Sequence, residues 1–298
     1  MIYISDFQQT DEHQELLLMD TGFPYLCKST DMNECINHSL PWHWHSFLEF
    51  DYILEGELEL QTPDHVFHLK KGDLFFINTD VLHALHSKTP TKACKTYAHL
   101  FDIHFLSGMY NSIFERKYFL PLFKNNNIPC YIVHPDSYRR VQMIEKFLKI
   151  VELNEQELPG YEFEIRAELC RFWYLLLEET KDLQKLPTEK ISLDTQRLKT
   201  MMQFIHEHFS EKISLNDIAA TANISSRECS RCFQHCANIS PMNYLNEYRI
   251  HMASQMLLLS QERITTISEN CGFSSCSYFN KIFHKHMKCT PKAYRNNK

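Results

Sequence analysis

The chain of 298 residues is predicted to be an α+β protein with several domains. An N-terminal antiparallel β-barrel with helices following it precedes a C-terminal all-α domain of two helix-turn-helix units. Three observations lead to this prediction: short apolar segments between tight turns from about residue 40 to 105, helical periodicity from Ser137 onward, and an internal repeat in the last hundred residues. The predicted boundaries are a barrel domain at 1–135, a helical segment at 136–183, a linker at 184–195 and an all-α domain at 196–298.

The composition suits ordinary globular domains and argues against several other classes of protein. Hydrophobic residues make up 44% of the chain, and the eleven cysteines form no dense, regular array, which favours reduced thiols. Nucleotide-binding motifs of the form G-x-x-x-x-G-K or G-x-G-x-x-G are absent. We see neither a signal peptide nor a run of apolar residues long enough to cross a bilayer, so a cytoplasmic protein without membrane contact is expected.

The net charge of −6 hides an asymmetry between the two ends of the chain. Residues 196–298 contain 13 basic and 7 acidic side chains, whereas residues 1–195 contain 18 and 30. A basic final third behind an acidic front is a charge distribution found in nucleic-acid binders.

The barrel is predicted from six segments that alternate or run apolar and are separated by turn residues. They are FLEFDYIL (47–54), ELELQT (57–62), HVFHL (65–69), DLFFIN (73–78), HALHS (83–87) and TYAHLFDIHF (96–105). Many short strands with no intervening helix indicate an antiparallel barrel or sandwich.

Two amphipathic helices are predicted to follow the strands, separated by a break at Pro159-Gly160. Their apolar stripes are Val141, Ile144, Leu148 and Val151 in the first helix, and Ile165, Leu169, Phe172, Trp173 and Leu176 in the second. These stripes either cover the barrel or form the interface of a homodimer, and both interpretations stay open. The polar, charged segment KDLQKLPTEKISLD (181–194) suits a linker.

The internal repeat of about 50 residues predicts two helix-turn-helix units. ISLNDIAATANISSRECSRCFQHCANISPMNY (213–244) aligns with ITTISENCGFSSCSYFNKIFHKHMKCTPKAY (264–294), and each copy offers a short helix, a tight turn and a second helix opened by serine. Ser214 with Asp217, and Ser225 with Glu228, have the spacing of capping boxes. A second helix joined this tightly to the first is able to enter the major groove of DNA.

The second helix of each unit leaves a polar face once its apolar residues are buried. Cys229, Cys232 and Cys236 follow the buried stripe, so we interpret them as core thiols rather than as a zinc or redox site. Arginine is suited to guanine and asparagine to adenine, so double-stranded promoter DNA is the predicted partner. The predicted DNA-binding residues are Ser226, Arg227, Ser230, Arg231 and Gln234 in the first unit, and Ser275, Cys276, Ser277, Asn280, Lys281 and Lys285 in the second.

The C-terminal hundred residues resemble the DNA-binding domain of the AraC/XylS family of transcription regulators. The resemblance is carried by the duplicated unit, by G-F-S-S-x-S-Y-F-x-K-x-F from Gly272 to Phe283, by T-P-x-x-Y-R from Thr290 to Arg295, and by Tyr248-Arg249 followed by Ala253 and Leu257. Asn238 and Lys288 stand where the family usually has glycine. The resemblance implies a ligand-controlled regulator, mostly an activator, which would also contact RNA polymerase.

The N-terminal domain resembles the cupin sensor of the same family. His43-x-His45-x3-Glu49-x6-Gly56 matches the first cupin motif, whereas the second is degraded: Gly72 and His83 keep their places, but Asn78 and Asp80 replace proline and glycine. Residues two apart on a strand point the same way, so His43, His45 and Glu49 are expected on one face, with His83 reaching in from another strand.

This resemblance implies that His43, His45, Glu49 and His83, with Trp44 beside them, bind a small polar effector such as a sugar. We predict a regulator that is not an enzyme and carries no cofactor. The alternative is a metal-dependent cupin activity or metal sensing, because the same three imidazoles and carboxylate hold Fe(II), Mn(II), Ni(II) or Zn(II) in metal-dependent cupins. A third class is a constitutive architectural DNA binder that ignores ligands.

Overall fold

The computed structural model describes residues 2–4, 22–89, 92–123, 125–186 and 192–296. Their contacts divide the described residues into two compact units, a first that holds residues 2–4, 22–61, 65–89, 92–123 and 125–186 and a second that holds residues 62–64 and 192–296. No helix in these ranges combines the length and the apolar character that crossing a bilayer requires.

The strands of the first unit form one six-stranded and one four-stranded sheet. They are β1 (Ile2–Ile4), β2 (Tyr25–Asp31), β3 (Ser39–His43), β4 (Leu48–Glu55), β5 (Glu57–Gln61), β6 (Val66–Lys70), β7 (Leu74–Ile77), β8 (His83–Ser87), β9 (Lys95–Phe101) and β10 (Cys130–Val133). The sheet orders are β1-β2-β9-β4-β7-β10 and β3-β8-β5-β6, and every pair except β1 with β2 is antiparallel.

The two sheets pack as a sandwich of the cupin type rather than closing into one continuous barrel among the described strands. Ile53, Phe75 and Ile77 of the larger sheet form one buried cluster with Leu60 and Leu85 of the smaller sheet. The prediction of an antiparallel, strand-rich domain is therefore confirmed. Of the two predicted architectures, barrel and sandwich, the structure has the sandwich. The last predicted strand stops at Phe101 because the side chain of Asp102 accepts a hydrogen bond from the backbone N–H of His104 and starts a helix.

The helical elements of the first unit include two long helices on either side of the predicted break at Pro159-Gly160. They are α1 (Ile103–Ser107), a π-helical turn (Glu115–Phe119), α2 (Leu120–Phe123), α3 (Tyr138–Gln156), α4 (Tyr161–Thr180) and a 3₁₀ turn (Leu183–Lys185). Gly160 precedes α4 with φ of 86°, a conformation that glycine adopts without strain.

Helices α3 and α4 cover the outer face of the six-stranded sheet. Phe50 of β4 meets Phe172 of α4 edge to face, with ring centroids 4.5 Å apart, and Phe147 of α3 joins the same cluster. These contacts agree with the interpretation that the apolar stripes of the two helices cover the strand domain. Val141 and Leu148, predicted on the buried stripe of α3, are 36% and 37% exposed because that stripe runs instead through Ile144, Phe147 and Val151.

Helices are the only regular elements among residues 192–296, which form most of the second unit. Its elements are α5 (Leu193–His208), α6 (Leu215–Thr221), α7 (Ser226–Ala237), α8 (Pro241–Leu259), α9 (Ile264–Asn270), α10 (Cys276–Met287) and α11 (Pro291–Asn296). The pairs α6–α7 and α9–α10 are the two predicted helix-turn-helix units, and α8 joins them. Residues 193–195, assigned from sequence to the linker, lie within α5.

The turn chemistry agrees with the sequence in most details. Ser214 and Asp217 form the expected reciprocal capping box at α6. At α7 only half of the box forms, because Ser225 accepts from the N–H of Glu228 while the Glu228 carboxylate binds Arg231 instead. Lys288, which stands where glycine is usual, adopts the left-handed conformation with φ of 57°.

Two arginines link elements of the second unit by donating hydrogen bonds to backbone carbonyls. Arg249 of α8 is buried and donates to the carbonyls of Phe209 and Glu211 at the end of α5, both at 2.7 Å. Arg295 of α11 donates in the same way to the carbonyl of Leu257, in the last turn of α8, and to that of Glu262, in the loop after α8. These bonds satisfy carbonyls that a helix end leaves without partners.

Candidate functional site

The structure brings His43, His45, Glu49 and His83 together; we call these four residues the histidine cluster. His43 ends β3 and pairs directly with His83 of β8, while Glu49 lies on β4 and His45 in the turn before it. Glu49 shares the inner face of β4 with Ile53, inside the sandwich. The four residues are at most 4% exposed.

The distances within the histidine cluster are those of direct contact. His45 Nε2 lies 2.8 Å and His83 Nε2 lies 3.4 Å from the same Glu49 oxygen, Oε2. The rings of His43 and His83 are 4.1 Å apart, and one ring nitrogen from each histidine falls within 4.8 Å of the others. His83 Nε2 is buried and makes no well-aligned hydrogen bond within the described residues.

All three histidines bind a backbone carbonyl through Nδ1. The distances are 2.7 Å from His43 to the carbonyl of Pro41, 3.0 Å from His45 to that of Phe47 and 2.8 Å from His83 to that of Val81. Because a carbonyl oxygen only accepts, each Nδ1 carries the proton, and each Nε2 of a neutral ring keeps its lone pair. His45 Nε2 and Glu49 Oε2 are then both acceptors, and their contact requires one proton or another cation.

The electrostatics of the histidine cluster favour a charged carboxylate among imidazoles. Desolvation raises the pKa of Glu49, but its close contacts with the rings of His45 and His83 outweigh it, and the pKa lies well below its usual value. Burial and the neighbouring rings of His83 and His45 hold the pKa of His43 well below its usual value. The histidine cluster can therefore bind a cation or a hydroxyl donor.

The two replaced residues of the second cupin motif, Asp80 and Asn78, both form hydrogen bonds to backbone carbonyls. Asp80, which stands in place of glycine, adopts φ of 57°, and its N–H donates to the carbonyl of His45 at 2.8 Å. Asn78, in place of proline, is buried and donates to the carbonyls of Leu122 and Ile128. Trp44 is half-buried, and its predicted role in effector binding stays a prediction.

The polar face of α7 is exposed at Arg227, Arg231 and Gln234. Ser226 and Ser230 are half-buried; the Ser226 hydroxyl bonds the side chain of Asn216, and the Ser230 hydroxyl donates to the carbonyl of Ser226. These two serines are therefore turned toward their own unit.

The polar face of α10 carries lysines instead of paired charges. Ser275 caps the helix by accepting from the N–H of Tyr278, and Cys276 is half-buried. Ser277, Asn280, Lys281 and Lys285 are exposed. Within the described residues neither lysine forms an ion pair with a carboxylate.

Arg231 has a carboxylate partner that the sequence did not reveal. Its Nη2 lies 2.8 Å from Asp194 Oδ2 of α5, and it also pairs with Glu228 of α7. Asp194, Glu228 and Cys232 have ligand atoms close enough for a metal ion, but the guanidinium already satisfies the two carboxylates. Burial raises the pKa of Cys232 to about 11, as expected for a core thiol.

The comparisons with known proteins define the class of the molecule. Residues 33–160 match the model of a family described as AraC-like ligand binding domain, and residues 218–297 match one described as helix-turn-helix domain. A ligand-binding domain followed by this DNA-binding domain makes the protein a transcription regulator.

The chain belongs to the AraC family of helix-turn-helix transcriptional regulators. It is 30% identical over 293 residues to the uncharacterized HTH-type transcriptional regulator YdeC of Bacillus subtilis (strain 168), covering 97% of this chain and 96% of that protein. It is 24% identical over 263 residues to the transcriptional activator RhaS of Enterobacter sp. (strain 638), covering 86% and 88%. ToxT from Vibrio cholerae strain SCE256, solved with an unsaturated fatty acid, gives a TM-score of 0.47 at 11% identity, covering 94% and 97%.

Proposed function

We propose that this protein selects promoter sequences through α7 and α10 and that an effector bound at the histidine cluster controls this selection. The main observation behind the proposal is that both helix-turn-helix units contain a second helix that is capped by serine and has an exposed polar face. Serine opens each helix, and the exposed side chains of Arg227 and Gln234 in α7 and of Asn280 and Lys281 in α10 are the candidate base or phosphate contacts.

The effector that we propose is a small polar metabolite such as a sugar. A charged Glu49 can accept hydrogen bonds from hydroxyl groups, and Nε2 of a neutral His83 can do the same. The effector acts by binding two arrangements of the protein with different strength. A coupling free energy of about 1–3 kcal/mol changes DNA affinity roughly 5- to 150-fold.

The test starts from duplexes that the full chain selects from a random library. We expect dissociation constants for selected duplexes to be at least about 1000-fold lower than for scrambled ones at physiological salt. Equal affinity for both would contradict sequence-specific binding and leave a constitutive architectural role.

The effector is tested with a panel of sugars and organic acids. A binder raises the melting temperature and changes affinity for the selected duplex. Glu49→Gln should abolish both responses, whereas Glu59→Gln on β5 changes the same charge away from the histidine cluster and should keep them. A panel without any stabilising compound would count against a sugar-like effector.

A second candidate is metal sensing, and one observation favours it. All three histidines bind a backbone carbonyl through Nδ1, the arrangement that fixes metal-binding histidines, and one ring nitrogen of each lies within 4.8 Å of the others. A divalent transition metal held by His43, His45, His83 and Glu49 would supply the positive charge that the His45–Glu49 contact requires. The donor set therefore fits a cation.

Metal content distinguishes the two candidates. About one equivalent of a transition metal in the purified protein, lost in His83→Ala and accompanied by metal-dependent DNA affinity, would support metal sensing. A metal-free protein that ignores added Zn(II), Ni(II), Mn(II) and Fe(II) would exclude it.

We further propose that the protein is a homodimer and an activator that contacts RNA polymerase. The dimer is supported by α3 and α4, which expose large side chains: Tyr138 is 79%, Phe163 81% and Tyr174 62% exposed. The role as an activator is supported by the relative RhaS, which is named an activator. Sedimentation should show a dimer that Tyr174→Glu weakens; a monomer at micromolar concentration would contradict this interface.

A further inference from the structure

Arg231, the arginine of α7 predicted to read DNA, is held by two carboxylates of its own chain. Its Nε and Nη2 form a bidentate pair with Glu228 at 3.0 and 2.7 Å, and Nη2 also donates to Asp194 at 2.8 Å. The Arg231 side chain is half exposed, and that of Asp194 is 18% exposed.

The number of available donors decides what Arg231 can do in this arrangement. A guanidinium has five N–H groups, and the Nε–H and both Nη2–H groups are used by Glu228 and Asp194. The two donors left are both on Nη1. Bidentate recognition of guanine uses N–H groups from two neighbouring nitrogens, so it requires the bond to Asp194 to break.

Glu228 and Asp194 bind different edges of the guanidinium. Glu228 occupies the Nε–Nη2 edge and can stay bound while the Nη1–Nη2 edge meets a base. Asp194 lies on the edge that a base would use. Asp194 is also bonded by Cys232 Sγ at 3.5 Å and lies 3.7 Å from Arg197, so it keeps partners after release.

The carboxylate of Asp194 is charged in this arrangement. Desolvation raises its pKa, but hydrogen bonds from Arg231 and Cys232 outweigh that effect and lower it. The group formed by Asp194, Glu228, Arg231 and Arg197 then has no net charge, which removes the electrostatic attraction for phosphate that exposed lysines give α10.

We propose that Asp194 is an autoinhibitory latch that occupies the base-reading edge of Arg231 and is displaced when α7 binds its DNA site. Asp194 lies in the first turn of α5, two residues after Ser192 opens the second unit. A displacement of the first turn of α5 would therefore separate Asp194 from Arg231. The latch rests on the proposed function, and an effector that displaces Asp194 would increase affinity for DNA.

The experiment measures affinity of the full chain for its selected duplex. Asp194→Asn removes the charge at nearly constant shape and should lower the dissociation constant about 3- to 5-fold, since a surface ion pair of this kind is worth up to about 1 kcal/mol. Arg231→Ala in the same background should abolish the gain, because the latch acts only through Arg231. Glu207→Gln, on the last turns of α5, is the matched control with the same charge change and should leave affinity unchanged within about twofold.

Each other outcome overturns the latch. Weaker binding by Asp194→Asn would mean that Asp194 positions Arg231 for DNA. A gain that persists without Arg231, or that Glu207→Gln shares, would mean a general charge effect. A chain that selects a duplex but shows no gain disproves the latch alone, whereas a chain that selects no duplex disproves the proposed function as well. Circular dichroism melting of each variant checks that α5 stays folded.

Discussion

His99 provides a quantitative test of how the sheet and α3 of the first unit are joined. It lies on β9, fully buried, where Nε2 donates to the carbonyl of Phe147 at 3.1 Å and Nδ1 accepts from the Tyr25 hydroxyl at 2.8 Å. The Tyr25 oxygen in turn accepts from Asn154 Nδ2 at 2.7 Å. Every polar atom of this network has a partner only while the imidazole is neutral.

The pKa of His99 gives the size of the effect. Burial lowers it to about 3, compared with about 6.5 in an unfolded chain. Because the folded value lies below the unfolded one, the unfolded state takes up the proton first, and stability present at neutral pH is lost as the pH falls from about 6.5 toward 3. Lowering the pH from 7 to 5 should cost about 2 kcal/mol of unfolding free energy, at about 1.36 kcal/mol per pH unit.

Urea unfolding followed by tryptophan fluorescence isolates the right unit, because Trp42, Trp44 and Trp173 all lie in the first one. The wild type should lose about 2 kcal/mol more than His99→Gln between pH 7 and 5. His68→Gln, an exposed histidine on β6, should retain the wild-type pH dependence. If His99→Gln and the wild type lose the same stability, the network does not depend on a neutral imidazole.

Three further predictions concern the second unit. Lys285→Ala should reduce the slope of log affinity against log salt by about 1 if the lysine contacts phosphate, and an unchanged slope would refute that contact. Gly272→Ala should destabilise the unit by more than about 1 kcal/mol in thermal unfolding, because φ is 73° and an added Cβ would lie 2.4 Å from the carbonyl oxygen of Phe209; a neutral result would show that this turn relaxes. Lys288→Gly should stabilise the unit by about 1 kcal/mol, since glycine adopts the left-handed conformation freely, and a loss would mean that the bond from Lys288 Nζ to the carbonyl of Lys285 matters more.

The sequence predicts those strands whose signal is local. Strands β4 to β9 combine alternation with turn residues, and all six are predicted. Strand β2 is missed because it is buried on both faces, Lys28 and Thr30 included, and has no alternation. Strand β10 has four residues and exists through its pairing with β7, more than fifty residues earlier in the chain.

The histidine cluster is predictable because its spacing is short. His43 ends β3, His45 lies in the turn that follows and Glu49 lies on β4, so the three residues are not on one strand as expected from the sequence, and His83 pairs directly opposite His43. The direction of each ring is not predictable, since it depends on a carbonyl two residues away being turned toward Nδ1. Asp194 is missed for a different reason: its sequence context indicates a linker, whereas it meets Arg231, 37 residues later, only when α5 packs on α7.

The two helix-turn-helix units share a sequence pattern but differ in charge. Salt dependence of DNA binding grows with the number of cations placed on phosphates. In α10, Lys281 and Lys285 form no direct ion pair among the described residues, whereas Arg231 of α7 is neutralised by Asp194 and Glu228. Binding through α10 should therefore be strongly salt-dependent and tolerant of sequence. Binding through α7 exchanges one ion pair for a base contact, so its contribution to specificity should change little with salt.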